Sequence, residues 1–164
     1  MTTRQLTMLA LFIALVTVST MIIQIPMPAT QGFLNFGDAM IFVAAIYLGP
    51  IAGLIAGGLG SSLADLLSGF GHWAPWTLVI KGLEGFLVGF IAHSAFRQRG
   101  YMVRALGGML LGAAWMVFGY YVAGGIMRGF PAAGLSVPGN VIQGLGSIVF
   151  AVPLLAALRH VRLK

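Results

Sequence analysis

The sequence predicts an all-α integral membrane protein, a compact bundle of six transmembrane helices with both termini in the cytoplasm. Hydrophobic residues make up 59% of the 164 residues, only 7% are charged, and the mean hydropathy is +0.99. A chain of this composition has too little polar sequence to cover a soluble domain. No linker, charge run or low-complexity tract divides it, so we expect one transmembrane domain over residues 1–164.

The helices are predicted from long apolar segments, because a spanning helix needs about 20 largely apolar residues. The segment 36–70 is too long for one span, since at 1.5 Å per residue it would form a rod of about 50 Å across a hydrocarbon core of ~30 Å. Gly49-Pro50 is its natural break, because proline cannot continue a helix and disfavours helix in the residue before it. We expect a short second helix before this break. The segments are residues 4–25, 36–70, 76–96, 102–127 and 139–158.

The distribution of positive charge independently supports six spans and a cytoplasmic N-terminus. A single span over 36–70 would place the arginines that follow residue 96 outside while Arg4 stayed inside. With six spans, the cations on the inside are Arg4, Arg97, Arg99, Arg104, Arg159, Arg162 and Lys164, and Arg128 lies outside. The outward loops are then residues 26–36, 70–75 and 128–138, which hold most of the non-cytoplasmic polar and aromatic residues.

Lys81 and Glu84 lie one helical turn apart in a segment that otherwise reads as membrane-spanning. A charge at such depth is costly and is by default a functional-site hypothesis. Counted from the outer helix ends at 1.5 Å per residue, Asp65, Lys81 and Glu84 lie roughly 6, 8 and 12 Å deep. The three can therefore meet in the outer half of the membrane. Lys81 and Glu84 would either contact a ligand or only clamp helices three and four together through Asp65.

Polar and aromatic side chains from four helices and an outer loop point to the same outer zone, which predicts a ligand pocket. The alternatives are structural: Asp38 and Asn140 could be helix N-caps, the two tryptophans could belong to an interfacial belt, and His72 could be a solvated loop residue. The predicted substrate-binding residues are Asn35, Asp38, Asp65, His72, Trp73, Trp76, Lys81, Glu84, Asn140 and Gln143.

Small residues form a second pattern, since glycines recur every three or four positions in the predicted helices three, four and five and permit close helix packing. Ala10 and Ala14 have the same spacing on helix one, which alone favours internal packing. The chain has no cysteine, no His/Glu spacing typical of a metal site and no Gly-rich nucleotide loop. We therefore expect no metal, cofactor or ATP hydrolysis in this chain, and its basic residues are explained by topology rather than by nucleic acid.

Motifs in the central third of the chain follow a specific order and spacing. They read Leu34-Asn35-Phe36-Gly37-Asp38-Ala39, Leu48-Gly49-Pro50, Gly60-Ser61-Ser62-Leu63-Ala64-Asp65, Ala74-Pro75-Trp76-Thr77 and Lys81-Gly82-Leu83-Glu84-Gly85, and helix six opens with Pro138-Gly139-Asn140-Val141-Ile142-Gln143. Together they resemble the substrate-binding S component of an energy-coupling factor (ECF) vitamin transporter, in the branch for hydroxymethylpyrimidine or pyridoxine-like substrates. Helix five and the last loop match only in hydrophobicity.

The resemblance implies a non-enzymatic subunit in a bacterial or archaeal plasma membrane. It would bind a small heteroaromatic vitamin or precursor (hydroxymethylpyrimidine, pyridoxine or thiamine-related) from outside, in a pocket roofed by the loop between helices one and two. A transmembrane coupling subunit powered by two separate ATPase subunits would complete delivery. Ala10 and Ala14 match the family's AxxxA motif, which implies a docking role for this pair.

Two other classes remain open from the residues themselves. A proton-coupled secondary transporter would use the buried carboxylates, although a chain this small without evident inverted repeats would have to oligomerise. A small membrane enzyme would use Asp65, His72 and Glu84 for acid-base or metal chemistry. Uptake that depends on a co-expressed ATPase module would indicate an S component rather than a secondary transporter. Turnover by the purified protein alone would indicate an enzyme.

Overall fold

The computed structural model describes residues 3–27, 32–96 and 98–159, which form seven helices and two short strands. The helices are α1 (Thr3–Ile22), α2 (Gly37–Leu48), α3 (Pro50–Leu67), α4 (Ala74–Ala92), α5 (Tyr101–Arg128), α6 (Phe130–Gly134) and α7 (Val137–Leu158). The strands are β1 (Ile25–Met27) and β2 (Gly32–Leu34), and a 3-10 turn spans His93–Ala95.

The predicted bundle of six membrane helices is confirmed, with α6 as a short addition in the last outer loop. Within the described ranges, five helical stretches are long and apolar enough to cross a membrane: Thr3–Ile22, Pro50–Leu67, Ala74–Ala95, Tyr101–Arg128 and Phe130–Leu158. The sixth helix, α2, is apolar but has only 12 residues.

The break between α2 and α3 falls where the sequence predicts it. Gly49 has a φ of +106°, a backbone conformation that residues other than glycine adopt only with strain. Pro50 is the first residue of α3, where its missing N–H costs no helical hydrogen bond. The two residues together turn the chain from α2 into α3.

Helix α2 lies at the centre of the bundle. It contacts α1, α3, α4 and α7, and all of its residues except Met40 and Leu48 are buried. Because other helices surround it, α2 does not need the length of a lipid-exposed span. This position brings the polar residue of its first turn, Asp38, into the protein interior.

The loop between α1 and α2 contains an antiparallel hairpin that sequence analysis did not predict. Ile25 pairs with Leu34, Pro26 with Phe33 and Met27 with Gly32. The hairpin rests on the start of α7, where a Cβ added to Gly139 would lie 3.0 Å from Met27 Sδ. Residues 28–31 of the predicted roofing loop lie outside the described residues.

The basic end of α7 and the α4–α5 connection meet at one end of the bundle. Arg159 Nη2 donates to the Gln98 carbonyl at 3.3 Å, and its guanidinium lies 4.7 Å from the centroid of the Tyr101 ring. This clustering agrees with the positive-inside arrangement. The other predicted cytoplasmic cations Arg97, Arg162 and Lys164 lie outside the described residues.

Glycines allow α2, α3 and α4 to pack closely, as their spacing predicts. A Cβ on Gly53 of α3 would lie 2.6 Å from both the Ala45 Cβ and the Gly85 carbonyl oxygen. A Cβ on Gly89 of α4 would lie 2.6 Å from Pro50 Cα. Neighbouring backbone occupies the space that larger side chains would need, so these positions determine the helix spacing around α2.

We expect Gly53→Ala to lower the free energy of unfolding by about 1–3 kcal/mol, because the added methyl group overpacks a backbone contact. Gly107→Ala on α5 is the matched control, since nothing lies within 4 Å of its added Cβ. The control should be neutral or more stable by up to about 1 kcal/mol through helix propensity. Thermal unfolding in one detergent measures both variants, and equal midpoints would contradict the packing argument.

Candidate functional site

A buried ion cluster joins α2 and α4. Lys81 Nζ pairs with Asp38 Oδ1 and lies 3.0 Å from Glu84 Oε2, and all three side chains are at most 2% exposed. Asp38 Oδ2 also accepts a 2.9 Å hydrogen bond from Gln143 Nε2, which extends the cluster to α7. Burying such charges is costly unless they are paired and hydrogen-bonded, so each charge of the cluster depends on its partners.

The predicted clamp between α3 and α4 through Asp65 is wrong, because the first partner of Lys81 is Asp38 on α2. Depth along the helix axes places Asp65 near Lys81, but central α2 brings Asp38 closer. Glu84 is the weaker partner, since neither of its carboxylate oxygens accepts a hydrogen bond of good geometry. Its contact with Lys81 is an ion pair only.

The N-cap interpretations of Asp38 and Asn140 are also wrong. Helix α2 begins at Gly37, and its first N–H donates to Asn35 Oδ1 at 2.9 Å, so the capping oxygen comes from Asn35. Helix α7 begins at Val137, which places Asn140 within the first turn rather than before it. Both polar side chains are therefore free to face the interior.

A cavity opens where the hairpin meets α3, α4, α5 and α7. About 470 Å³ of space lies between its lining side chains, part of it open to solvent. Because this space includes open solvent, its lining rather than its volume indicates what the cavity can bind. It is lined by Met27, Gly32, Phe33, Asn35, Asp65, Trp73, Thr77, Tyr120, Ser136, Asn140 and Gln143.

The cavity wall combines aromatic rings with polar atoms that have no partner. The Trp73 and Tyr120 rings meet edge to face with centroids 5.7 Å apart. The Tyr120 hydroxyl lies 3.1 Å from Thr77 Oγ1. Asp65 Oδ2 and Trp73 Nε1 are buried and have no hydrogen-bond partner among the residues that the structure describes. An unpaired buried acceptor and donor are costly, so they mark places where a ligand can complete the bonding.

The cavity and the ion cluster are adjacent and share two contact residues. Gln143 lines the cavity and donates to Asp38 of the cluster. Tyr120 also lines the cavity, and its ring centroid lies 5.6 Å from Lys81 Nζ, within the range of a cation–π contact. The charges of the cluster therefore act on the cavity through these two side chains.

Of the ten predicted substrate-binding residues, the structure brings five to the cavity wall: Asn35, Asp65, Trp73, Asn140 and Gln143. Asp38, Lys81 and Glu84 lie in the adjoining ion cluster and are not among the lining residues. His72 is exposed, and Trp76 packs against the Trp73 and Met116 core. His72 and Trp76 do not line the cavity either. A ligand contact by the three cluster residues and by these two therefore stays a prediction.

Sequence reasoning missed the remaining wall residues for identifiable reasons. Met27, Gly32 and Phe33 reach the cavity through the hairpin, whose three-residue strands leave no readable alternation. Tyr120 lies in an apolar helix. Its phenolic hydroxyl, which needs a hydrogen-bond partner when buried, was the only feature that could have indicated a polar site there. Thr77, after the Pro75-Trp76 start of α4, and Ser136, just before α7, carry small hydroxyl groups and read as ordinary helix and loop residues.

Ala10 and Ala14 lie on an exposed face of α1. The buried residues of this helix are Leu9, Phe12, Val16 and Thr20, which face α2 and α3. Internal packing of the two alanines, which their spacing alone favours, is therefore wrong. Their exposure leaves a flat strip on the membrane-facing side of the bundle.

Fold and site define a class: a small membrane-embedded binding protein whose cavity lies under an extramembrane hairpin. A family model described as "ECF-type riboflavin transporter, S component" matches residues 1–160, and the chain belongs to this family. It is thus a vitamin-binding S component in a multi-pass membrane arrangement, which confirms the function predicted from the sequence. The family implies a coupling subunit and ATPase subunits as partners, and it does not favour the secondary-transporter or enzyme alternatives.

Individual relatives agree with the family. An uncharacterized protein of Pyrococcus woesei is 42% identical over 134 residues, which cover 82% of this chain and 87% of that protein. The thiamine precursor transporter HmpT of Lactococcus lactis is 30% identical over 149 residues, covering 90% and 83%. A solved S component of a bacterial ECF transporter shares the fold with a TM-score of 0.68 at 19% identity, covering 94% and 95% of the two chains.

We expect Lys81→Met to lower the free energy of unfolding by about 3–5 kcal/mol, because it leaves Asp38 and Glu84 buried without their cation. Glu84→Gln should lower it by less than about 1 kcal/mol, since the Lys81–Asp38 pair remains and Glu84 accepts no hydrogen bond. Chemical or thermal unfolding in detergent measures the difference. Equal losses in the two variants would show that Asp38 is not the main partner.

Proposed function

We propose that this S component captures a small heteroaromatic vitamin precursor of the hydroxymethylpyrimidine type from the outer side of the membrane. The observation that carries the proposal is the pair of unpartnered buried atoms in the cavity wall, Asp65 Oδ2 and Trp73 Nε1. One accepts and the other donates a hydrogen bond. An aminopyrimidine edge presents an amino donor beside a ring-nitrogen acceptor, which complements this pair.

The rest of the wall supports a flat polar ligand. Phe33, Trp73 and Tyr120 provide ring surfaces against which a heteroaromatic ring packs in stacked or edge-on geometry. Ser136 and Asn140 supply a hydroxyl and an amide on the α7 side, suited to a hydroxymethyl substituent. Exclusion of water by the hairpin would strengthen each of these polar contacts.

One relative favours a ligand with one ring. The Lactococcus lactis relative is named a thiamine precursor transporter and aligns with most of this chain. Pyridoxine has no amino group beside its ring nitrogen and complements the Asp65–Trp73 pair less well.

Delivery would depend on the exposed strip of α1. Ala10 and Ala14 lie one turn apart on the membrane-facing side, and small residues at this spacing allow a partner helix to approach closely. We infer that a transmembrane coupling subunit docks here and that two ATPase subunits bound to it supply the energy for release.

We expect Asp65→Asn to weaken binding of hydroxymethylpyrimidine at least about fivefold, since a hydrogen bond to a charged acceptor is worth about 1 kcal/mol more than one to a neutral amide oxygen and 1.4 kcal/mol is tenfold. Glu84→Gln removes a carboxylate in the same way outside the cavity lining and should change the Kd by less than about threefold. Quenching of the intrinsic tryptophan fluorescence or titration calorimetry measures both. Unchanged affinity in Asp65→Asn would overturn the assignment, and weaker binding in Glu84→Gln would favour a direct ligand contact by Glu84.

We expect Ala10→Trp and Ala14→Trp to abolish uptake while leaving ligand affinity within about twofold, because a bulky ring blocks the approach of a helix at this strip. Val149→Trp on α7 is the matched control, a substitution at a position that is 70% exposed on another face. Uptake of labelled ligand by cells that co-express the ECF partners measures coupling. Loss of uptake in the control to the same extent would place docking elsewhere.

A further inference from the structure

Gln143 connects the outer hairpin to the buried ion cluster. Its Oε1 accepts a 2.9 Å hydrogen bond from the backbone N–H of Asn35, the residue that directly follows β2. Its Nε2 donates at 2.9 Å to Asp38 Oδ2. The side chain is only 7% exposed and also lines the cavity. One amide therefore contacts the hairpin, the cavity and the cluster.

The carboxylate of Asp38 determines which way this amide faces. An ionised carboxylate only accepts hydrogen bonds, so the NH2 end of Gln143 must point toward it. Lys81 occupies the other oxygen of Asp38 and holds the carboxylate in place. The remaining end of the amide, its oxygen, is then turned toward the Asn35 N–H. A flipped amide would oppose donor to donor and lose both bonds.

The hairpin is held at both of its ends, but by different kinds of contact. At the β1 end, Gln24 Nε2 donates to Ser68 Oγ at 2.8 Å, outside the cavity lining. At the β2 end, the bond from Asn35 runs to a cavity-lining side chain. Between them, Met27, Gly32 and Phe33 form part of the cavity wall. Displacing the β2 end would therefore open the cavity directly.

We propose that Gln143 is a latch that holds the β2 end of the hairpin closed over the cavity, and that Asp38 is the positioning residue that orients it. The proposal rests on the binding role of the cavity and adds a determinant of how long a ligand stays bound. Asp38 acts here through Gln143 and needs no contact with the ligand.

Amide hydrogen exchange of a peptide covering residues 32–37 tests the latch in the purified full-length protein without ligand. Gln143→Met keeps the length of the side chain but removes both hydrogen bonds, and we expect exchange at Asn35 to rise about tenfold. Asp38→Leu leaves Lys81 its Glu84 partner but frees the Gln143 amide, so exchange should rise at least about threefold. Ser68→Ala, which removes the tether at the β1 end, should leave Asn35 exchange within about twofold.

The double variant Asp38→Asn/Gln143→Glu exchanges the amide and the carboxylate while preserving the pattern of bonds. The amide introduced at position 38 can accept from Lys81 and donate to the new carboxylate at position 143, which can also accept from the Asn35 N–H. We expect its Asn35 exchange to lie within about threefold of the unmodified protein. A merely structural role for Gln143 predicts no such recovery.

Unchanged Asn35 exchange in Gln143→Met would overturn the latch, and unchanged exchange in Asp38→Leu would overturn the positioning role. Peptides from α3 report global unfolding. The Asn35 exchange of a variant is therefore interpreted only where the exchange of the α3 peptides stays unchanged. If Asp38→Leu or the double variant unfolds, Gln143→Met compared with Ser68→Ala still decides the latch. Asp38→Asn alone then replaces Asp38→Leu, with the same expected rise of at least about threefold. A faster off-rate of hydroxymethylpyrimidine in Gln143→Met supports the proposal further. Because exchange is measured without ligand, failure of the latch and failure of the substrate assignment are distinguishable.

Discussion

The pairing of Lys81 with Asp38 is the interaction on which the rest of the structure depends. It joins the central helix α2 to α4, and through Gln143 it reaches α7. A carboxylate in the first turn of a helix that is buried on all sides would be prohibitive without a cation opposite it. With that cation present, Asp38 keeps one oxygen free to orient a side chain of the cavity. Packing at the core and geometry at the outer surface are thus connected by a few hydrogen bonds.

The buried polar residues divide into two groups that differ in how their bonding is satisfied. Asp38 and Lys81 bond to each other, Asp38 also accepts from Gln143, and Lys81 also pairs with Glu84, so both charges have partners within the protein. Asp65 and Trp73, each 6% exposed, line the cavity, and within the described part of the chain Asp65 Oδ2 and Trp73 Nε1 have no hydrogen-bond partner. A buried charge in a membrane protein therefore indicates a structural or functional role without saying which. Incomplete hydrogen bonding within a cavity marks the recognition site more specifically.

Much of the fold could be predicted from the sequence because helix length and charge distribution are one-dimensional properties. Long apolar runs, the Gly49-Pro50 break and the basic ends determine how many helices there are and how they are oriented. The partner of Lys81 could not be predicted in this way. Depth counting gives a position along the membrane normal but not which neighbour lies opposite, and the central place of α2 follows from packing of all the helices. The hairpin and α6 were missed because segments of three and five residues carry no readable periodicity.

Native mass spectrometry of the purified protein, equilibrated with a mixture of hydroxymethylpyrimidine, pyridoxine, thiamine and riboflavin, tests the central claim most directly. The complementarity of the Asp65–Trp73 pair to an aminopyrimidine edge predicts a one-to-one complex with hydroxymethylpyrimidine that survives at the lowest ligand concentration. A complex with riboflavin alone, or no complex with any of the four compounds, would contradict it.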